Sequence, residues 1–177
     1  MEFEHVLVVG AGQMGAGIAQ VVAVSGRRVT LHDPYPGAVD RGLGAMRASL
    51  TKLAAKGGSD PDETLARVTA ADDVVPADLM IEAITEDAAA KEALFGKADG
   101  VLPADAILAS NTSSIPITSL AAATGRPERV IGMHFFNPVP VLTLVEVIRA
   151  AQTSDATAEA IVRLARELGK EPAQAND

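Results

Sequence analysis

The sequence predicts an α/β fold, a doubly wound and mostly parallel sheet, and three observations point to it. Apolar runs of strand length alternate with helical stretches along the chain. Hydrophobic residues fill 48% of the 177 positions but aromatics only 3%, so the core is built from Ala, Val, Leu and Ile. That composition suits parallel strands wrapped by alanine-rich helices. A glycine-rich turn, Gly10-Ala11-Gly12-Gln13-Met14-Gly15, stands between the first strand and the first helix, where such a sheet carries its ligand-binding turn.

Residues 5–9 (HVLVV) are a short buried strand, and the glycine turn opens an Ala/Val/Ile helix reaching about Ser25. Residues 28–32 (RVTLH) form the second strand. Over 37–56, Val39, Leu43, Met46, Leu50 and Leu53 follow the spacing of an amphipathic helix. Gly57-Gly58-Ser59-Asp60-Pro61 breaks it, and a shorter helix is expected to about Val68. Residues 37–68 therefore read as a helical arm inserted after the second strand, with Ser49, Lys52 and Lys56 on its polar face. Further strands are expected at 78–84, 106–109, 129–135 and 141–148, with helices near 88–99, 116–124 and 154–168. The length suits one domain over 1–177, and no internal repeat is visible.

Composition excludes several classes of function. A net charge of −8 argues against nucleic acid or an anionic membrane as the main partner. Without cysteine there is no disulfide framework, thiolate metal site or cysteine nucleophile, and no metal centre is expected. The N-terminus runs straight into a strand, and no stretch is long and apolar enough to span a bilayer. The expectation is a soluble, cytoplasmic protein.

The glycine turn follows a strand, opens a helix and is answered by Asp33 at the end of the next strand, the context a dinucleotide fingerprint requires. Gly10 permits the tight turn, Gly12 lets the backbone approach a pyrophosphate, and Gly15 lets helix pack on strand. Asp33 is placed to hydrogen-bond the adenosine ribose hydroxyls and would repel a 2′-phosphate. No arginine follows in Asp33-Pro34-Tyr35-Pro36 to reverse that preference, so NAD is favoured over NADP.

The second half carries groups suited to chemistry. In open α/β sheets the site lies beyond the carboxyl ends of the strands. Strand 106–109 leads into Ser110-Asn111-Thr112-Ser113-Ser114, strand 78–84 leads to Glu86, and strand 129–135 ends around His134. The hydroxyl cluster suits either a helix N-cap before Pro116 or a substrate site. Glu146 lies inside the apolar run Leu142–Ile148, where a carboxylate needs a partner. His134 and Glu146 are equidistant from Pro140, so a chain reversal there would set them face to face. Such a pair fixes the imidazole tautomer and suits the histidine to act as a base in alcohol oxidation.

Three segments carry a family resemblance: Gly-Ala-Gly-Gln-Met-Gly-Ala-Gly-Ile-Ala (10–19), Ser-Asn-Thr-Ser-Ser (110–114) and Gly-Met-His-Phe-Phe-Asn-Pro-Val-Pro-Val-Leu-Thr-Leu-Val-Glu-Val-Ile (132–148). Over nearly its whole length the chain resembles the NAD-binding domain of the L-3-hydroxyacyl-CoA dehydrogenase family, in its 3-hydroxybutyryl-CoA branch. The resemblance implies a Rossmann-type fold and oxidation of (S)-3-hydroxyacyl-CoA, or the reverse reduction. It implies His134 as general acid/base, Glu146 as its partner and Ser113 at the substrate's 3-oxygen. Gly10, Gly12, Gln13, Met14, Gly15, Asp33, Glu86, Lys91, Ser113 and Asn137 would contact NAD, and Ser49 and Lys56 would contact CoA. Family members continue into a Pro-Gly-Phe segment and an all-helical domain that supplies a further asparagine, one wall of the acyl pocket and most of a dimer interface. The 177 residues stop short of that domain, so low turnover is expected of them, and any homo-oligomer they form would lack the usual dimerisation domain. Two alternatives remain at this point: an NAD-binding module without efficient turnover, and a dehydrogenase of a CoA-free hydroxy acid.

Overall fold

Alternation along the first strand sets the layers of the molecule. β1 (His5–Val9) sends Val6 and Val8 into one apolar cluster and Leu7 and Val9 into another, all at or near full burial. The two clusters lie on opposite faces of the sheet, as the period of two requires. The computed structural model describes residues 2–177.

On the first face, α1 (Gln13–Val24) buries Ile18, Ala19, Val22 and Ala23 against Val6, Val8 and Leu31. β2 (Arg28–His32) pairs in parallel with β1, placing His32 beside Val9. The chain then forms α2 (Ala38–Ala54) and α3 (Pro61–Leu65), which both pack against α1. Asp60 caps α3 by accepting from the Glu63 backbone N–H at 2.9 Å, and Pro61 occupies its first turn. Residues 68–71 then form β3 (Val68–Ala71), paired in parallel with the outer edge of β2. The helices expected as an inserted arm are thus also the crossover of a βαβ unit. Two of the four β3 residues, Thr69 and Ala70, are exposed, so this edge strand has no apolar run to announce it. α2 closes at Ala54, two residues short of the expected end, and Lys56 lies past it in a turn, off the helical face of Ser49 and Lys52.

The other half of the sheet comprises β4 (Leu79–Glu82), β5 (Ile107–Ser110), β6 (Val130–Phe135), β7 (Leu144–Arg149) and β8 (Glu171–Asn176). Helices α4 (Ala88–Val101) and α5 (Ile117–Ala122) cover the second face, where Phe95, Ala98 and Leu120 meet Leu7, Met80 and Leu108. α6 (Asp155–Glu167) covers the first face with Ile161, Leu164 and Ala165. The strand order is β3-β2-β1-β4-β5-β6-β7-β8. β1 to β6 are parallel, β7 runs antiparallel to β6, and β8 is parallel to β7. β7 begins at Leu144 rather than at 141 because Pro138 O accepts from the N–H groups of Val141 and Leu142, which holds those residues in a turn. β8 lies at the outer edge with five of its six residues exposed, which accounts for the polarity of Pro-Ala-Gln-Ala. Strand order reverses between β1 and β4, and a ligand crevice opens at such a point beyond the carboxyl ends of the strands.

Candidate active site

The glycine turn fills the crevice at the end of β1. Gly10 has φ +102°, and a Cβ there would stand 2.5 Å from the Ala83 carbonyl oxygen. A Cβ on Gly15 would lie 1.7 Å from the Gly10 carbonyl oxygen, so helix and turn touch backbone to backbone. Gly12 is different: a Cβ there would meet nothing within 4 Å. That open space fronts the N-terminus of α1, whose first N–H groups have no intrahelical acceptor. A side chain at position 12 would stand where a diphosphate fits.

Asp33 follows β2 and is tied to this turn. Its Oδ2 accepts from the Ala11 N–H at 2.8 Å and its Oδ1 from the Tyr35 N–H at 2.9 Å. Each oxygen keeps a lone pair for a ribose hydroxyl. Gly12, Gln13, Asp33, Tyr35, Ser49 and Asn137 are among the residues lining a cavity of about 640 Å³. Met14 packs on the core instead. The open backbone at Gly12, the helix N-terminus and the carboxylate together fit a dinucleotide lacking a 2′-phosphate.

The antiparallel register of β6 and β7 sets His134 directly opposite Glu146. His134 Nδ1 donates to Glu146 Oε2 at 2.7 Å, with the two side chains 18% and 42% exposed. The ring also leans on Phe136 at a centroid distance of 4.6 Å. Nδ1 is therefore committed, while Nε2 has no hydrogen bond among the described residues. Two contacts hold the ends of these strands. Asn111 Oδ1 accepts from the Phe135 N–H at 2.8 Å, and buried Lys170 donates to the Val139 and Leu142 carbonyls at 2.5 and 2.7 Å. Burial lowers the Lys170 pKa from its ordinary value.

The hydroxyls after β5 do not cap α5, whose N-cap is Pro116 without a side-chain bond. They gather on Glu86. Its Oε1 accepts from Thr112 Oγ1 at 2.6 Å, from the Ser113 and Ser114 N–H groups at 3.0 and 3.1 Å, and from both serine hydroxyls at 3.2 Å. Partial burial pushes the Glu86 carboxyl up, but these bonds and the Lys91 ammonium at 3.4 Å outweigh it and hold the group at about 2.

Beneath Glu86 lies a pair that the sequence reading did not single out. Glu82, fully buried at the end of β4, accepts from Lys91 Nζ at 2.5 Å, from the Ile84 N–H at 2.7 Å and from Ser110 Oγ at 2.6 Å. Ser110 Oγ in turn accepts from the Thr112 N–H at 3.2 Å, so a ring of bonds runs Glu82–Lys91–Glu86–Thr112–Ser110 and back. Lys91 is 1% exposed, which makes it the support of Glu86 rather than an open ligand group. The signal is in the sequence: Glu82 lies inside Leu-Met-Ile-Glu-Ala-Ile, an apolar run like the one around Glu146, where a carboxylate needs a partner.

Residues 5–177 match the model of the 3-hydroxyacyl-CoA dehydrogenase NAD-binding domain. The chain belongs to this family. It is 50% identical over 175 residues to a probable 3-hydroxybutyryl-CoA dehydrogenase of Deinococcus radiodurans, covering 96% of this chain and 63% of that protein. It is 41% identical over 186 residues to the mitochondrial hydroxyacyl-coenzyme A dehydrogenase of Homo sapiens, covering 98% and 59%. The crystal structure of (S)-3-hydroxybutyryl-CoA dehydrogenase from Ralstonia eutropha superposes with a TM-score of 0.94 at 42% identity, over 99% of this chain and 64% of that one. The chain thus spans under two thirds of the length of each of these relatives, as an NAD-binding Rossmann-type domain.

The domain brings its expected site residues together in three groups. His134 meets Glu146; Ser113 and Lys91 meet Glu86; and Gly12, Gln13, Asp33, Asn137 and Ser49 share one cavity. Lys56 stands apart, exposed beyond α2. Gln20 also lines the cavity, and no motif marks it. It is 2% exposed and its Nε2 has no hydrogen-bond partner, a state that costs about 1–3 kcal/mol.

Proposed function

We propose that this domain binds NAD and provides the acid/base chemistry for interconversion of (S)-3-hydroxyacyl-CoA and 3-oxoacyl-CoA. NAD, when bound, supplies the hydride acceptor for the 3-hydroxy carbon. His134 Nε2 takes the proton of the 3-hydroxyl, because Nδ1 is held by Glu146 and Nε2 is open. Glu146 keeps the Nδ1 proton in place and offsets the positive charge that develops on the ring. In the reductive direction the same imidazole returns its proton to the 3-oxygen.

Ser113 holds the 3-oxygen. Its hydroxyl shares Glu86 Oε1 at 3.2 Å, against 2.6 Å for Thr112, so it is the weaker-held hydroxyl and free to turn to substrate. Glu86, supported from below by Lys91, and Asn137 border the cofactor, and Ser49 and Lys56 contact CoA, where the lysine suits a phosphate. The observation that carries the proposal is the register of β6 and β7, which joins imidazole to carboxylate at 2.7 Å in a domain with a dinucleotide cradle. Incubating the chain with NADH and acetoacetyl-CoA and following cofactor absorbance tests it. Oxidation of NADH that requires the CoA ester supports it; oxidation by free acetoacetate at an equal rate contradicts it.

A further inference from the structure

The turn between β6 and β7 is short of hydrogen-bond donors. It runs Asn137-Pro138-Val139-Pro140-Val141-Leu142, and its two prolines have no N–H. The N–H groups of Val141 and Leu142 both go to the Pro138 carbonyl. The Val139 and Leu142 carbonyls are met from outside the turn, by Nζ of buried Lys170 at 2.5 and 2.7 Å. No carboxylate pairs with this ammonium among the described residues, and burial alone lowers its pKa. A cation held in the interior without an opposite charge is costly, and a methionine would fill the same space without that cost.

Resting on the proposed function, we infer that Lys170 is a positioning residue of the reaction: by clamping this turn it sets the spacing between the His134–Glu146 pair and the nicotinamide end of the cofactor site. The lysine is itself fixed on both sides. Its N–H donates to the Ala165 carbonyl in the last turn of α6 at 2.9 Å, and the next N–H, of Glu171, donates to the Thr143 carbonyl just before β7 at 2.8 Å. Opposite the lysine the turn rests on α1, where a Cβ on Gly17 would stand 2.9 Å from Val139 Cβ. Lysine and helix therefore hold the turn between them, and α1 is the helix whose N-terminus heads the dinucleotide cradle. Asn137 and Val139 line the cavity that includes this cradle, while His134 and Glu146 stand on the two strands that the turn joins. The chemistry makes their spacing matter. One substrate carbon loses the hydride and bears the hydroxyl that gives its proton to His134, so the imidazole has to stand at a fixed distance from the nicotinamide. A misplacement of about 1 Å can lower the rate around 10²-fold. The adenosine end depends on the glycine turn and Asp33 instead, and Lys170 does not hold either of them.

The test uses Lys170→Met, which keeps the length and removes the donor, and Lys170→Ala, which leaves room for an added ammonium ion. Each is assayed below its Tm for binding of NADH and of ADP-ribose, and for kcat and KM in the reduction of acetoacetyl-CoA. ADP-ribose has no nicotinamide and reads the adenosine end alone. Lys170→Met should bind ADP-ribose as the unmutated chain does, while the factor by which NADH binds more tightly than ADP-ribose falls about threefold or more. Its kcat should drop about 10- to 100-fold, with KM for acetoacetyl-CoA within about threefold. In Lys170→Ala, propylammonium should raise kcat about fivefold or more; tetramethylammonium, of the same charge but without N–H, should not. Where Lys170→Met is unfolded, this rescue carries the test. A folded Lys170→Met with unchanged kcat and an unchanged NADH margin would overturn the inference and leave the proposed function standing. NADH and ADP-ribose weakened by one common factor, or equal rescue by the two ions, would also overturn it. If the unmutated chain reduces no acetoacetyl-CoA, the proposed function fails, and the NADH margin alone then decides the inference.

Discussion

Replacing Lys91 by methionine probes the support beneath the site. Lys91 and Glu82 are 1% and 0% exposed and 2.5 Å apart, so the substitution strands a carboxylate in the interior. Breaking a buried pair from one side costs about 3–5 kcal/mol. Glu82 keeps two further donors, the Ile84 N–H at 2.7 Å and Ser110 Oγ at 2.6 Å, which places the expected loss near the lower end, about 3 kcal/mol. The double variant Glu82→Gln/Lys91→Met removes both charges and keeps the volume; its amide oxygen still accepts from the Ile84 N–H, and its NH2 donates to Ser110 Oγ. It should recover roughly 2 kcal/mol relative to Lys91→Met alone. Urea unfolding followed by circular dichroism reads both numbers, provided the slope stays constant across the series. The single variant should also bind NAD more weakly, because Glu86 loses the ammonium 3.4 Å away. A loss below about 1 kcal/mol for Lys91→Met, or a double variant no better than that single one, would refute the reading of a coupled buried pair.

Two further outcomes follow from the same geometry. Asp33→Ala should weaken NAD binding about tenfold or more, since it removes a charged acceptor that also ties the turn through Ala11; the preference for NAD over NADP should narrow, and equal affinity for both cofactors in the unmutated chain would contradict the role. Glu86 is held at about 2, below its ordinary 4.5, so its stabilising contribution is full above that ordinary value and is lost as pH falls through about 2. Acid unfolding of Glu86→Gln should accordingly be flatter over that window, and superimposable acid profiles would show that the contribution is absent.

Much of this site is legible before any coordinates, for reasons that differ from residue to residue. The glycine turn and Asp33 are local: strand, turn, helix and acid follow one another within a single βαβ unit. The pairing of His134 with Glu146 is long-range in principle, yet a reversal centred on Pro140 makes it a matter of counting. β3 is less visible because an edge strand with exposed Thr69 and Ala70 has neither an apolar run nor a clean alternation. The Glu82–Lys91 pair joins a strand end to a helix nine residues on, and its lysine carries no pattern to distinguish it from a solvated one. Gln20 is silent in the same way, since only the packing of α2 and the turn at Val139 shows its amide to be enclosed. α2 ends two residues before the expected Lys56: Ala55 and Lys56 are good helix formers, but the chain leaves the helix just before Gly57, at φ +87°.

The central claim is that His134 and Glu146 act as one acid/base unit in 3-hydroxyacyl-CoA chemistry. Its most direct test is a double-mutant cycle on NADH oxidation by acetoacetyl-CoA at saturating cofactor, using His134→Ala, Glu146→Gln and the double variant. With Nδ1 and Oε2 joined at 2.7 Å, each single change should lower turnover by a factor on the order of 10²–10⁴ while NAD affinity is retained. The double variant should be little worse than the worse single. Multiplying effects in the double variant, or full turnover in Glu146→Gln, would contradict it.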